Sequence, residues 1–78
     1  MKPTTKYAIV IEKGRNYSAY VPDLPGCVAA AKTISELKQL MRKAIKIHLR
    51  GMREDGQRIP KPTTQVDYAE VPDYAEAG

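Results

Sequence analysis

Tyr20-Val21-Pro22-Asp23-Leu24-Pro25-Gly26-Cys27, followed six residues later by Thr33-Ile34-Ser35-Glu36, decides how this chain is read. Two prolines within four residues fix φ and delete two backbone donors. The residue before each proline is biased toward extended backbone. The stretch therefore predicts a rigid connection that ends one strand and starts another. Thr33 then stands where a helix begins: its hydroxyl can accept the N–H of Glu36, and Glu36 can reach back, the capping-box pattern.

Upstream, Thr5 to Glu12 alternates and is rich in β-branched residues, with Tyr7, Ile9 and Ile11 on one face and Ala8 and Val10 on the other. That pattern predicts a strand. Lys13-Gly14-Arg15-Asn16 predicts a hairpin turn, and Tyr17 to Val21 a second strand, stopped by Pro22. Cys27 to Ala31 predicts a short third strand of small residues. From Ile34 to about Arg53 the spacing is helical. Ile34, Leu37, Met41, Ala44, Ile45, His48 and Met52 fall on one side, flanked by Leu40 and Ile47. Gly51 is unfavourable in a helix interior by about 1 kcal/mol, which predicts fraying in the last turn, and Asp55-Gly56 ends the helix. Ile59-Pro60-Lys61-Pro62 reads as a stiff, extended connector, and the weak alternation from Gln65 to Val71 as a fourth strand returning to the sheet. The expected fold is α+β, in the order β-β-β-α-β: a three-stranded antiparallel meander, one long helix packed on it and a fourth strand. Residues 1–71 form the expected single domain. Residues 72–78, which begin with Pro72 and repeat the Asp67-Tyr68-Ala69-Glu70 pattern as Asp73-Tyr74-Ala75-Glu76, form an exposed acidic tail.

Seventy-eight residues make one domain. A chain of this size buries only about 60% of the surface it exposes when unfolded, so a homo-oligomer, dimer or tetramer, is expected. The longest apolar run, Tyr7 to Ile11, is far short of the roughly 20 residues a membrane helix needs. One cysteine cannot form an internal disulfide, and no apolar signal-peptide core follows Met1, so a reducing cytoplasm is expected. The formal charge of +4 is unevenly spread. Residues 1–53 hold 11 Lys/Arg against 3 Asp/Glu, whereas residues 54–78 hold 2 against 6, which is +8 followed by −4. Two readings stand side by side: the acidic end neutralises the body of its own or a sister chain, or the basic face meets RNA, DNA or an acidic partner.

Chemistry-bearing patterns are scarce. The chain has no phosphate-binding glycine loop and no His/Cys cluster at metal spacing, so no metal and no cofactor are expected. His48 lies mid-helix on the apolar face and reads as a core or interface histidine. A general-base role would require an acid beside it, for which Asp23 is the only early candidate. Cys27 reads as a small buried hydrophobe. No enzyme is expected. Arg42, Lys46, Arg50 and Arg53 recur along one side of the helix and read as a solvated basic face, as a contact for the acidic tail or as a contact for a nucleic-acid backbone.

The Val21-Pro22-Asp23-Leu24-Pro25-Gly26-Cys27 run after a tyrosine-bearing strand, with Thr33 and Glu36 at the helix start, Asp55-Gly56 at its end and Ile59-Pro60 and Pro62 beyond, resembles the HicB-like antitoxin family over residues 5–71. The resemblance implies a reduced, catalytically inactive RNase H-like unit that neutralises a small mRNA-cleaving, HicA-like toxin by occluding its active site. Tyr20, Asp23 and Leu24 are then the candidate partner contacts. Arg42, Lys46, Arg50 and Arg53 would serve the alternative, an orphan HicB-like nucleic-acid-binding module. Family members usually carry a following DNA-binding domain. Only 16 residues follow Pro62 here, so DNA binding is not expected from this chain alone. Ala31-Lys32 stands where the family commonly has Gly-Asp, and Leu37 where an alanine often follows the glutamate.

Overall fold

The computed structural model describes residues 4–73 and contains β1 (Val10–Lys13), β2 (Tyr17–Tyr20), β3 (Val28–Ala31) and α1 (Ile34–Glu54). The strands form one antiparallel sheet in the order β1-β2-β3. Registers of Ile11 opposite Ala19 and Ala19 opposite Ala29 stack those three residues on the face that meets the helix. Lys13, Tyr17 and Ala31 form the next row on that face, where the Lys13 ammonium stands 5.9 Å from the centre of the Tyr17 ring.

The connection from β2 to β3 is two consecutive β-turns sharing Leu24. Leu24 donates its N–H to Val21 O at 3.0 Å, and Cys27 donates to Leu24 O at 3.1 Å. Each turn has proline at its second position, where a fixed φ suits it. The second turn places Gly26 third with φ +87°, the type II geometry that an L side chain rarely adopts. Val21 N–H reaches Cys27 O at 3.2 Å and closes the loop. The shared residue points inward: Leu24 is fully buried with Ala19, Val21, Cys27, Leu37 and Met41.

β1 is shorter than the expected Thr5–Glu12. Val21 spends its N–H on the β3 side, so by strand alternation position 22 is the next to face β1, and Pro22 has no N–H to donate. The ladder stops at Val10 opposite Tyr20, and residues 4–9 continue as unpaired chain.

Thr33 caps the helix as expected: its backbone is extended and its hydroxyl accepts Glu36 N–H at 3.1 Å. The end is a Schellman motif, with Gly56 at φ +73°, Gly56 N–H on Arg53 O at 3.1 Å and Gln57 N–H on Met52 O at 2.8 Å. Gly51 does not fray the last turn; the helix runs through it to Glu54. Most of the expected stripe is realised, with Leu49 added, Ile34 left exposed and His48 half-buried. Leu37 and Met41 are buried, and Ala44, Ile45, Leu49 and Met52 pack against them, whereas Ile34, Leu40 and Ile47 are exposed. The helix lies over β2 and β3 and not over β1.

The expected fourth strand is not formed. Residues 59–64 instead cross the end of the sheet as a strap: Tyr7 Oη donates to Pro60 O at 2.6 Å, and Thr63 and Thr64 are bound at Asp23 in the β2–β3 turn. The chain is thereby carried away from the free edge of β1. Val66, Tyr68 and Val71 are left exposed, and the described residues have maximum extents of 54 × 27 × 27 Å. Most of the expected tail, residues 74–78, lies outside the described residues.

Two substitutions test this core in opposite directions. A Cβ built on Gly51 meets nothing within 4 Å, so Gly51→Ala should stabilise the chain by about 1 kcal/mol. Leu24→Ala should destabilise it by about 2–5 kcal/mol, enough to unfold much of the population. Urea unfolding followed by circular dichroism reads both.

Candidate partner-binding surface

Because Ile11, Ala19 and Ala29 face the helix, the next register row faces away from it: Val10 opposite Tyr20 and Tyr20 opposite Val28. Tyr20 is 42% exposed and Val28 64% exposed, so the middle of this row is open to solvent. The neighbouring row on the open face is Glu12, Ser18 and Ala30. These six side chains give a flat, mostly apolar surface with one acid and no cation.

Three residues expected at a partner contact are placed very differently. Tyr20 is central to the open row. Leu24 is fully buried and presents no surface. Asp23 is half-buried and faces the strap, accepting four hydrogen bonds. Its Oδ1 accepts from the hydroxyls of Thr63 at 3.1 Å and Thr64 at 2.9 Å, and its Oδ2 accepts both of their N–H groups at 3.2 Å. The bond from the Thr64 hydroxyl is the chief influence holding the Asp23 carboxyl below its ordinary value of 3.8, against the opposing effect of desolvation. With both oxygens so engaged, Asp23 is no partner for His48, which is half-buried on α1. Thr63 and Thr64 were missed in the sequence. The available signal was a pair of adjacent hydroxyls immediately after a proline-stiffened connector, with Asp23 the only acid between Glu12 and Glu36.

Arg42, Lys46, Arg50 and Arg53 are all exposed on one side of α1, and the structure does bring them together. They border two grooves. A smaller one of about 320 Å³ is lined by Lys46, Leu49, Arg50, Arg53 and Ile59. A larger one of about 710 Å³ runs between the unpaired residues 4–9 and the helix, on the side where α1 does not cover β1. Its floor is Tyr7, Ile9, Met41, Ile45 and Leu49. Its basic groups are Lys6, Lys38, Arg42 and Lys46.

Cys27 is buried, and burial pushes its thiol above the ordinary value, so it is a protonated packing group at neutral pH. Among the described residues no group of three or more His, Cys, Asp or Glu side chains could hold a metal ion, and no helix is long and apolar enough to cross a membrane.

A family model described as "HicB_like antitoxin of bacterial toxin-antitoxin system" matches residues 7–77. An uncharacterized 14.9 kDa protein from the rep-hol intergenic region of Haemophilus phage HP1 is 39% identical over 71 residues, which are 90% of this chain and 53% of that protein. The chain thus spans about half the length of this phage relative. A UPF0150 protein of Archaeoglobus fulgidus is 40% identical over 65 residues, 78% of this chain and 94% of that one. Among solved structures, a chain of the "HicA3 and HicB3 toxin-antitoxin complex" superposes with a TM-score of 0.66 at 27% identity, covering 76% of this chain and 70% of that chain.

The Asp23 clasp has a signed pH dependence. A carboxyl whose folded value is depressed contributes stability above its unfolded value and loses it as pH falls through the folded one. The strap should therefore hold at neutral pH and release only as pH falls through the folded value, which lies below the ordinary 3.8. The amide resonances of Thr63 and Thr64 should titrate together in that acid range. In Asp23→Ala they should sit at random-coil positions at every pH, with the helix unchanged.

Proposed function

The chain belongs to the HicB-like antitoxin family of bacterial toxin-antitoxin systems, and from this we propose that it binds a small mRNA-cleaving, HicA-like toxin and silences it by covering the RNA-cleaving site. The observation that carries this reading is the open row of Val10, Tyr20 and Val28 on the sheet face opposite the helix. A monomeric domain rarely leaves the flat apolar middle of a sheet uncovered unless a partner covers it. The face also suits the partner electrically. A protein that handles RNA is basic, and this is the side of the sheet without Lys or Arg in its rows, whereas the cations of α1 lie on the other side. Tyr20, central and half-exposed, has the chemistry of an interface anchor: large, stiff and able to donate a hydrogen bond. Asp23 serves indirectly, by fixing the turn that follows Tyr20. Occlusion requires only shape and contact, so the cytoplasm where mRNA is translated is the setting this role requires.

One observation favours a second reading, the orphan nucleic-acid-binding module: Arg42, Lys46, Arg50 and Arg53 share one exposed side of α1. Phosphate contacts need only such clustered charge. This reading requires binding to an RNA or DNA duplex that weakens steeply with salt and disappears when the four become alanine.

Co-expression with the toxin encoded beside the gene should restore growth and yield a co-purifying complex. Tyr20→Glu should weaken that complex about 30-fold or more, the scale of an interface anchor worth 2 kcal/mol, while leaving the helical signal intact. Full neutralisation by the variant would remove the sheet face from the reading, and failure of the wild-type chain to bind would remove the toxin.

A further inference from the structure

We propose that the two grooves beside α1 form one track for a single strand of polynucleotide, its phosphates on the helix cations and its bases against the groove floor. The inference rests on the nucleic-acid reading above and deepens it: the preferred ligand is an unpaired strand seated in a groove, not a duplex laid on a charged face. The two grooves adjoin, since Lys46 and Leu49 line both. Together they follow α1 from Lys38 to Arg53, a length of about 22 Å.

Lys38, Arg42, Lys46, Arg50 and Arg53 are all exposed and stand three or four residues apart, one cation about every 5–6 Å along the track. Lys6 adds a sixth from the other wall of the larger groove. No acid among the described residues lines either groove. Three of the six are arginines, whose planar fork matches a phosphate. The row also runs on past the unpaired residues 4–9. The smaller groove contains none of them, so a peptide held by pairing to that segment would leave Arg50 and Arg53 unused. A polyanion that carries a charge on every unit uses the whole row.

The floor decides that the strand is unpaired. A duplex keeps the faces of its bases stacked inside, and would leave Tyr7, Ile9, Met41, Ile45 and Leu49 uncovered. An unpaired strand presents those faces, and each of them can stack on an aromatic ring whatever the sequence. Tyr7 supplies the ring. Its hydroxyl donates to Pro60 O at 2.6 Å, which ties the side chain to the strap before any ligand arrives. A cationic groove for the backbone with an aromatic side chain for the bases is the combination that holds single strands without reading them.

Fluorescence anisotropy tests the track with labelled oligouridylate and oligothymidylate of about 10 nucleotides and with a duplex of the same length. The single strands should bind with log affinity falling against log salt at a slope of about −3, and the duplex about tenfold more weakly. Arg42→Ala with Arg50→Ala should flatten that slope by about 1.4, the loss of two phosphate contacts. Tyr7→Leu should weaken binding about fivefold or more at an unchanged slope, and circular dichroism should show the wild-type helix in both variants. Binding of RNA alone, of DNA alone or of both bears the track out and tells which sugar it accepts. A duplex bound as tightly as the single strands would overturn the track and leave the broader nucleic-acid reading standing, whereas no binding of any of them would remove both. An unchanged slope in the double arginine variant would overturn the track as well. So would displacement of the strand by a polyglutamate peptide of equal charge as readily as by unlabelled oligouridylate, which would make the surface a site for acidic protein. The toxin reading is untouched by any of these outcomes, since Tyr20 takes no part.

Discussion

Leu24 holds the two proline turns and the core together, and the rest of the domain depends on it. Among the described residues six are buried, and three of them, Val21, Leu24 and Cys27, come from the connection between β2 and β3. Connections ordinarily run over the surface because their backbone polar groups need partners. This one is internally satisfied: Val21, Leu24 and Cys27 supply and receive its backbone bonds, and the prolines remove two donors that would otherwise need acceptors. A chain this small has few apolar residues to bury, and making a turn contribute half of the buried ones is what lets three four-residue strands support a helix. Rigidity there also fixes Asp23, and through Asp23 the position of Thr63 and Thr64.

The distribution of charge follows from the same geometry. The helix must be apolar toward β2 and β3, so its cations are pushed to its outer sides, where they border the two grooves. The open face of the sheet is left with Glu12 as its only charged group in the paired rows. The cations of α1 and the open row of the sheet therefore lie on opposite sides of the domain. Along the sequence the charge divides into +8 over residues 1–53 and −4 over residues 54–78.

Much of this was legible in the residues. The strand order, the Thr33 cap and the Asp55-Gly56 stop each rest on local rules, and each is realised. The signals that failed were non-local. Whether Gln65–Val71 pairs with β1 depends on where the strap delivers it, which is decided by a bond from Thr63 and Thr64 to an acid about 40 residues earlier. Periodicity placed Ile34 inside and passed over Leu49, because the helix sits off-centre on the sheet and its buried side is turned toward Met41, Ile45 and Leu49. Leu24 and Asp23 looked like surface groups of a turn; only the double-turn geometry sends one into the core and ties the other to the strap. Tyr20, one residue before the turn, lies on the face opposite Ala19 because strand alternation alone determines it.

An edge strand and an open apolar face are both hazards in a soluble chain, since each invites unspecific association. Here they lie on different sides of the sheet: the groove on the helix side beside β1, and the Val10, Tyr20 and Val28 row on the opposite face.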